Sequence, residues 1–145
     1  MNGMLESAIL FAVGLATMYA AHQVADHVFG QTDNIAANKV KAGRGGWIAI
    51  IRHVFAYHVV MFIMLLSTLV LLHIPVTLLG LSSALLFSAI THAILDRRWP
   101  VKFILEHTGS PEFAKLQAPI CGMYLADQGL HYLCLWISAL LLACL

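Results

Sequence analysis

Charge is what this chain has least of. Asp, Glu, Lys and Arg make up 10% of its 145 residues against 61% hydrophobic residues, and with a mean hydropathy of +0.85 the composition excludes a soluble domain of this length. Neither sign dominates: the net charge is +1 at pH 7, so the overall balance offers no basic surface for nucleic acid. Cysteine is scarce. Cys121, Cys134 and Cys144 are odd in number and lack C-x-x-C spacing, which predicts free thiols and no disulfide framework. The first apolar stretch has no basic start of the kind a cleaved signal carries. It holds Glu6 there, and His22 and Asp26 at its far end, and reads as a retained span.

Long apolar runs are what the chain has in quantity. Four can be drawn, from about Leu5 to Phe29, Trp47 to Leu72, Val76 to Leu95 and Ile120 to Leu145, each near the ~20 residues that cross a bilayer as a helix. Four segments are too few and too long for a barrel. The expected architecture is therefore all-α: one four-span domain over residues 1–145, an integral membrane four-helix bundle running up-down-up-down. Small-residue faces at Gly14, Ala16, Thr17 and Ala20 and at Ser82, Ser83, Ser88 and Ala89 permit close helix contact within one bundle or in a homo-oligomer. In the third connection, Ser110 and Pro111 predict the start of a short interfacial helix over roughly Glu112 to Gln117, ended by Pro119. With Trp99, Phe103 and Phe113 it would lie over the polar ends of the spans.

All eight Lys and Arg residues fall in two places. Lys39, Lys41, Arg44 and Arg52 lie in or just after the first connection, and Arg97, Arg98, Lys102 and Lys115 in the third. The positive-inside rule then puts both long connections in the cytoplasm and both termini outside, in a cytoplasmic (inner) membrane. The basic, glycine-rich stretch from Lys39 to Gly46 is expected to face anionic headgroups of the lipid bilayer.

The same ends of the spans carry His22-x-x-x-Asp26, His53 with Tyr57, His92-x-x-x-Asp96 and Asp127-x-x-x-His131. A spacing of four sets two side chains on one helix face, so each pair can converge on a shared partner. Counted from the outer ends at 1.5 Å per residue, His22, His53 and His92 lie roughly 24 to 29 Å in, one layer near the cytoplasmic edge. His22, Asp26, His53, His92, Asp96, Asp127 and His131 give seven nitrogen and oxygen donors, enough for two divalent ions with open positions. Two ions against three carboxylates would leave a slightly positive site that favours hydroxide or phosphate. Zinc is the first choice, with manganese or iron open. Metal-activated water attacking a phosphoester or related group of a lipid or other amphiphilic substrate is the chemistry such a site suits, with Asp96, Asp127 and Tyr57 as candidate catalytic groups. His27, Gln31, Arg52, Arg97, Arg98 and Gln128 are candidates for contacts to ligands or substrate.

Other readings account for part of the pattern. Arginines at the same membrane face would neutralise the carboxylates, and the imidazoles would then merely hydrogen-bond between helices. A non-catalytic membrane protein acting through partners fits the same composition. A metal or proton transporter is less well supported, because the outer halves of all four spans are almost wholly apolar.

His22-Gln-Val-Ala-Asp26-His27-Val-Phe-Gly-Gln31-Thr, His53-Val-Phe-Ala-Tyr57, Thr91-His92-Ala-Ile-Leu-Asp96-Arg97-Arg98 and Tyr124-Leu-Ala-Asp127-Gln128-Gly-Leu-His131 resemble the bacterial and phage membrane proteins known as domain of unknown function 3307. The resemblance covers nearly the whole chain and implies a small multi-span fold without implying a reaction. A looser similarity, in size and in intramembrane His/Asp pairs, links it to bacterial inner-membrane proteins described as metal-dependent hydrolases, and adds weight to hydrolysis by analogy alone.

Overall fold

The computed structural model describes residues 3–29 and 32–145, and among them there are helices and no strands. Four helices are long and apolar enough to cross a membrane. The first is α1 (Gly3–Val24), which runs on without a break through a wider π-helical turn, Ala25–Phe29. The others are α3 (Gly43–Leu71), α4 (Leu78–Leu95) and α7 (Gly122–Cys144). Three short helices sit in the connections: α2 (Asp33–Asn38), α5 (Trp99–His107) and α6 (Pro111–Lys115). Only the last was legible from Ser110 and Pro111, and it ends earlier than expected. The other two lack the length over which an apolar period is readable. Thr32 opens α2, its hydroxyl accepting from the Ile35 N–H, and Thr77 opens α4 by accepting from the Gly80 N–H.

Each long helix buries one narrow stripe and leaves the rest of its apolar surface outward. On α1 the stripe is Leu10, Gly14, Met18 and His22; on α3 it is His53, Tyr57, Met61, Leu65 and Leu69. On α4 it is Gly80, Ala84, Ser88 and His92, and on α7 Gln128, His131, Leu135, Ser138, Ala139 and Leu142. A four-residue step keeps these side chains on one face. The imidazoles of His22, His53, His92 and His131 are therefore members of the core stripes, gathered toward one end of the bundle. Outside the stripes, Phe55, Leu71, Leu78 and Leu86 stand more than half exposed, an apolar exterior that suits hydrocarbon and would aggregate in water. Lipid tails are as apolar as Leu, so cohesion comes from close packing. Gly14 and Gly80 supply it: a Cβ on either would press on Leu142, at 2.7 Å from its side chain and 2.8 Å from its carbonyl oxygen respectively.

One end of the bundle gathers Glu6, Ser7, Pro75, Thr77 and Leu145 around a cavity of about 380 Å³. The other gathers the C-terminal ends of α1 and α4 and the N-terminal parts of α3 and α7, with every His/Asp motif among them. Between the two lies a dry core of Met18, Met61, Leu65, Leu69, Leu135 and Leu142. A second small core, Leu95, Val101 and Leu105 with Ala114, Met123 and Leu130, seats α5 and α6 against the start of α7.

A candidate metal centre

Two groups of residues that could hold a metal ion converge at the polar end. The first is Asp26, His53, His92 and Asp96, all buried; the second is Asp96, Asp127 and His131. In the first set, His53 Nε2 lies 3.0 Å from His92 Nε2, 3.0 Å from Asp26 Oδ1 and 3.0 Å from Asp96 Oδ2. His92 Nε2 lies 3.8 Å from Asp26 Oδ1 and 3.5 Å from Asp96 Oδ2. These separations bracket the edge of a tetrahedron with bonds of ~2.0 Å, which is about 3.3 Å. An imidazole edge has only one proton at Nε2 to give, so the three acceptors around His53 Nε2 cannot all be satisfied from it. Asp26 Oδ1 is left buried without a hydrogen bond.

The second set shares Asp96 and extends toward the surface. His131 donates from Nδ1 to the Asp127 carbonyl oxygen at 2.8 Å, which leaves Nε2 as the lone-pair nitrogen. That nitrogen is 4.0 Å from Asp96 Oδ1. It too is buried without a hydrogen bond, as is Asp127 Oδ1. Among the described residues, every buried side-chain polar atom lacking a partner is in this cluster. Unpartnered buried groups are costly, and all three belong to residues of the two donor sets. The way in is a crevice of about 60 Å³ lined by Arg98, Cys121, Met123, Tyr124 and Asp127.

His22 does not join either set, contrary to expectation. The backbone explains it: Asp26 lies in the π-helical turn, where the i to i+5 pattern widens the spiral and shifts residues after Val24 out of α-helical register with His22. His22 instead accepts from the Tyr57 hydroxyl at Nδ1 (3.0 Å) and donates from Nε2 to Gln128 Oε1 (2.9 Å). Gln128 Nε2 points on to Asp26 Oδ2 at 3.5 Å. Tyr57 is buried, with its ring 4.1 Å from that of His92, so its hydroxyl is spent on His22 and is not aimed at the crevice. Tyr57, His22 and Gln128 thus form a buttress behind the donors.

The three arginines differ in placement. Arg52 is exposed. Arg97 donates to the carbonyl oxygens of Lys39 (2.9 Å) and Lys41 (2.8 Å) and lies over the Trp47 ring, 5.1 Å from its centroid. It ties down a strap. Arg98 adopts a left-handed conformation, φ 62°, in the tight turn into α5, and its side chain lines the crevice. His27 is exposed, donating to the Gln23 carbonyl and accepting from the Tyr124 hydroxyl at 2.8 Å. His58 donates to the Val54 carbonyl and contacts Ser88 Oγ at 3.1 Å. Gln31 lies outside the described residues.

One residue of the site escaped sequence reasoning. Lys39, assigned to lipid headgroups, is 4% exposed and places Nζ 2.9 Å from Asp96 Oδ2. A basic residue in a glycine-rich connection gives no sign that it folds back under the bundle. Burial would raise the Asp96 carboxyl, but the hydrogen bonds from His53 and His92 and the charge of Lys39 outweigh it and hold that group well below the usual carboxylate range.

No curated protein and no solved structure matches the chain. The family described as a protein of unknown function (DUF3307) matches it over residues 15–144, which takes in every residue of both donor sets. The chain belongs to that family.

Proposed function

We propose that this protein is a membrane-embedded hydrolase dependent on one divalent metal ion. The observation that carries the reading is the near-tetrahedral spacing of Asp26, His53, His92 and Asp96, with Asp26 Oδ1 left unpartnered. Asp26, His53, His92 and Asp96 would hold the ion, and bound there it would supply Lewis-acid activation of water. His131 Nε2, whose orientation is fixed by the Asp127 carbonyl, would be the base that takes a proton from that water. Zinc suits two imidazoles and two carboxylates; manganese and iron are accommodated by the same donors.

A crevice of about 60 Å³ admits water and the reacting group of a substrate, while the ~300 Å³ or more of an ordinary ligand pocket is absent from it. The substrate is then an ester or phosphoester of an amphiphile that stays largely in the bilayer, with Arg98 at the rim to meet an anionic oxygen. In this reading the bundle runs up-down-up-down with the centre at the cytoplasmic edge. The test is elemental analysis of purified protein, followed by turnover on phospholipids and isoprenoid phosphates. One divalent ion per chain is expected, lost in Asp26→Asn. His131→Gln should keep the ion yet lower kcat by about 10²-fold or more, the usual worth of a general base. Purified protein free of divalent metal and unaffected in stability by chelator would overturn the proposal.

Lys39 favours a second reading. Its ion pair with Asp96 would let the cluster stand as a metal-free polar lock between helices, in a protein that acts through partners. Metal content separates the two.

A further inference from the structure

Lys39 is built into the centre. Its N–H closes α2 on the Ile35 carbonyl at 2.8 Å, and Arg97 grips the Lys39 and Lys41 carbonyls from the turn after α4. The strap lies so close on α3 that a Cβ at Gly46 would run into the Lys41 carbonyl oxygen. From this anchor the side chain passes inward, 5% exposed, to Asp96 Oδ2. Asp96 is the one residue common to both donor sets.

Charge then decides how many ions the cluster accepts. Of the charged groups in the cluster, Asp26, Asp96 and Lys39 are buried and Asp127 is half-buried; His53 and His92 are neutral as ligands, Arg98 stands exposed at the crevice rim, and the Arg97 guanidinium is engaged with the strap carbonyls and Trp47 on the outer side. Three carboxylates and one ammonium leave two negative charges. A single divalent ion cancels them, whereas two ions would bury two uncompensated positive charges at the edge of hydrocarbon, where unpaired charge is costly. Without Lys39 the balance changes. One ion would leave a single negative charge and two ions a single positive one, and the Asp96, Asp127 and His131 set would become a competent second site.

We propose that Lys39 is a resident cation that fixes the occupancy of the centre at one divalent ion per chain and reserves Asp127 and His131 for water. Lys39 in this role is a positioning residue, acting through Asp96. The inference rests on the metal reading above and is separable from it by counting ions. Wild-type protein, Lys39→Arg and Lys39→Met, each stripped and then titrated with zinc in detergent, are compared by calorimetry and elemental analysis. Expected are one ion for wild type and Lys39→Arg and two for Lys39→Met, the second lost again in Lys39→Met with Asp127→Asn. Two ions in wild type, or one ion in a folded Lys39→Met protein, overturns the proposal. If Lys39→Met does not fold, Lys39→Gln and the wild-type count still decide it. No ion in wild type overturns the metal reading itself, and this inference with it.

Discussion

His22 and Asp96 stand in different relations to the same cluster, although each belongs to a His-x-x-x-Asp pair. Asp96 faces Lys39, His53 and His92 at once, so in the proposed centre it would be ligand and counter-charge together. His22 has both ring nitrogens occupied by Tyr57 and Gln128, so in the proposed centre it would stabilise without serving as a ligand. His22→Leu should therefore keep the full metal content while lowering stability by about 2–3 kcal/mol, the cost of stranding a buried hydroxyl and amide. Thermal unfolding alongside elemental analysis checks this, and loss of metal would restore His22 to the ligand set. Sequence spacing alone cannot separate the two roles. An i, i+4 pair converges only on an α-helical backbone, and nothing in Ala25–Phe29 announces the wider turn.

At the scale of elements, the apolar runs made the four long helices legible, because 18 or more consecutive apolar residues have few other uses. The connections were not legible. Their short helices are fixed by contacts that residue type does not declare: α5 and α6 by Val101 and Leu105 against α7, and the 39–41 strap by Arg97 and the bare face of Gly46. The strap gives a direct check. Gly46→Val should lever it away from α3, with an overpacking cost of about 1–3 kcal/mol, and bring the Lys39 amine out of the cluster. Amine-reactive labelling read by mass spectrometry is expected to be slow at Lys39 in wild type and at least tenfold faster in the variant. Equal rates would mean that the strap is held by something other than its fit to Gly46.

For the whole molecule, the segregation of Lys and Arg and the single polar end agree on which ends of the helices belong together, and orientation in a membrane follows as an expected outcome. The native thiols report it. Cys144 is exposed near the C-terminus and Cys121 is half-buried at the start of α7, at the polar end. In intact cells an impermeant maleimide should reach Cys144 and spare Cys121, with a Cys144→Ser variant unlabelled; labelling of Cys121 alone would invert the topology.

The dry core between the two ends has an electrical consequence. Met18, Met61, Leu65, Leu69, Leu135 and Leu142 fill the bundle with only the hydroxyls of Ser88 and Ser138 as polar neighbours and no ionisable side chain among them, so for a chain set in a bilayer this layer is an insulator in series with the cluster. A transmembrane potential, worth about 2.3 kcal/mol per charge per 100 mV over the full thickness, drops almost entirely across it. The carboxylates, the ammonium and any ion they hold then stay near the potential of one aqueous phase. In the proposed centre, protons and metal would then exchange with that phase alone, independent of the membrane voltage.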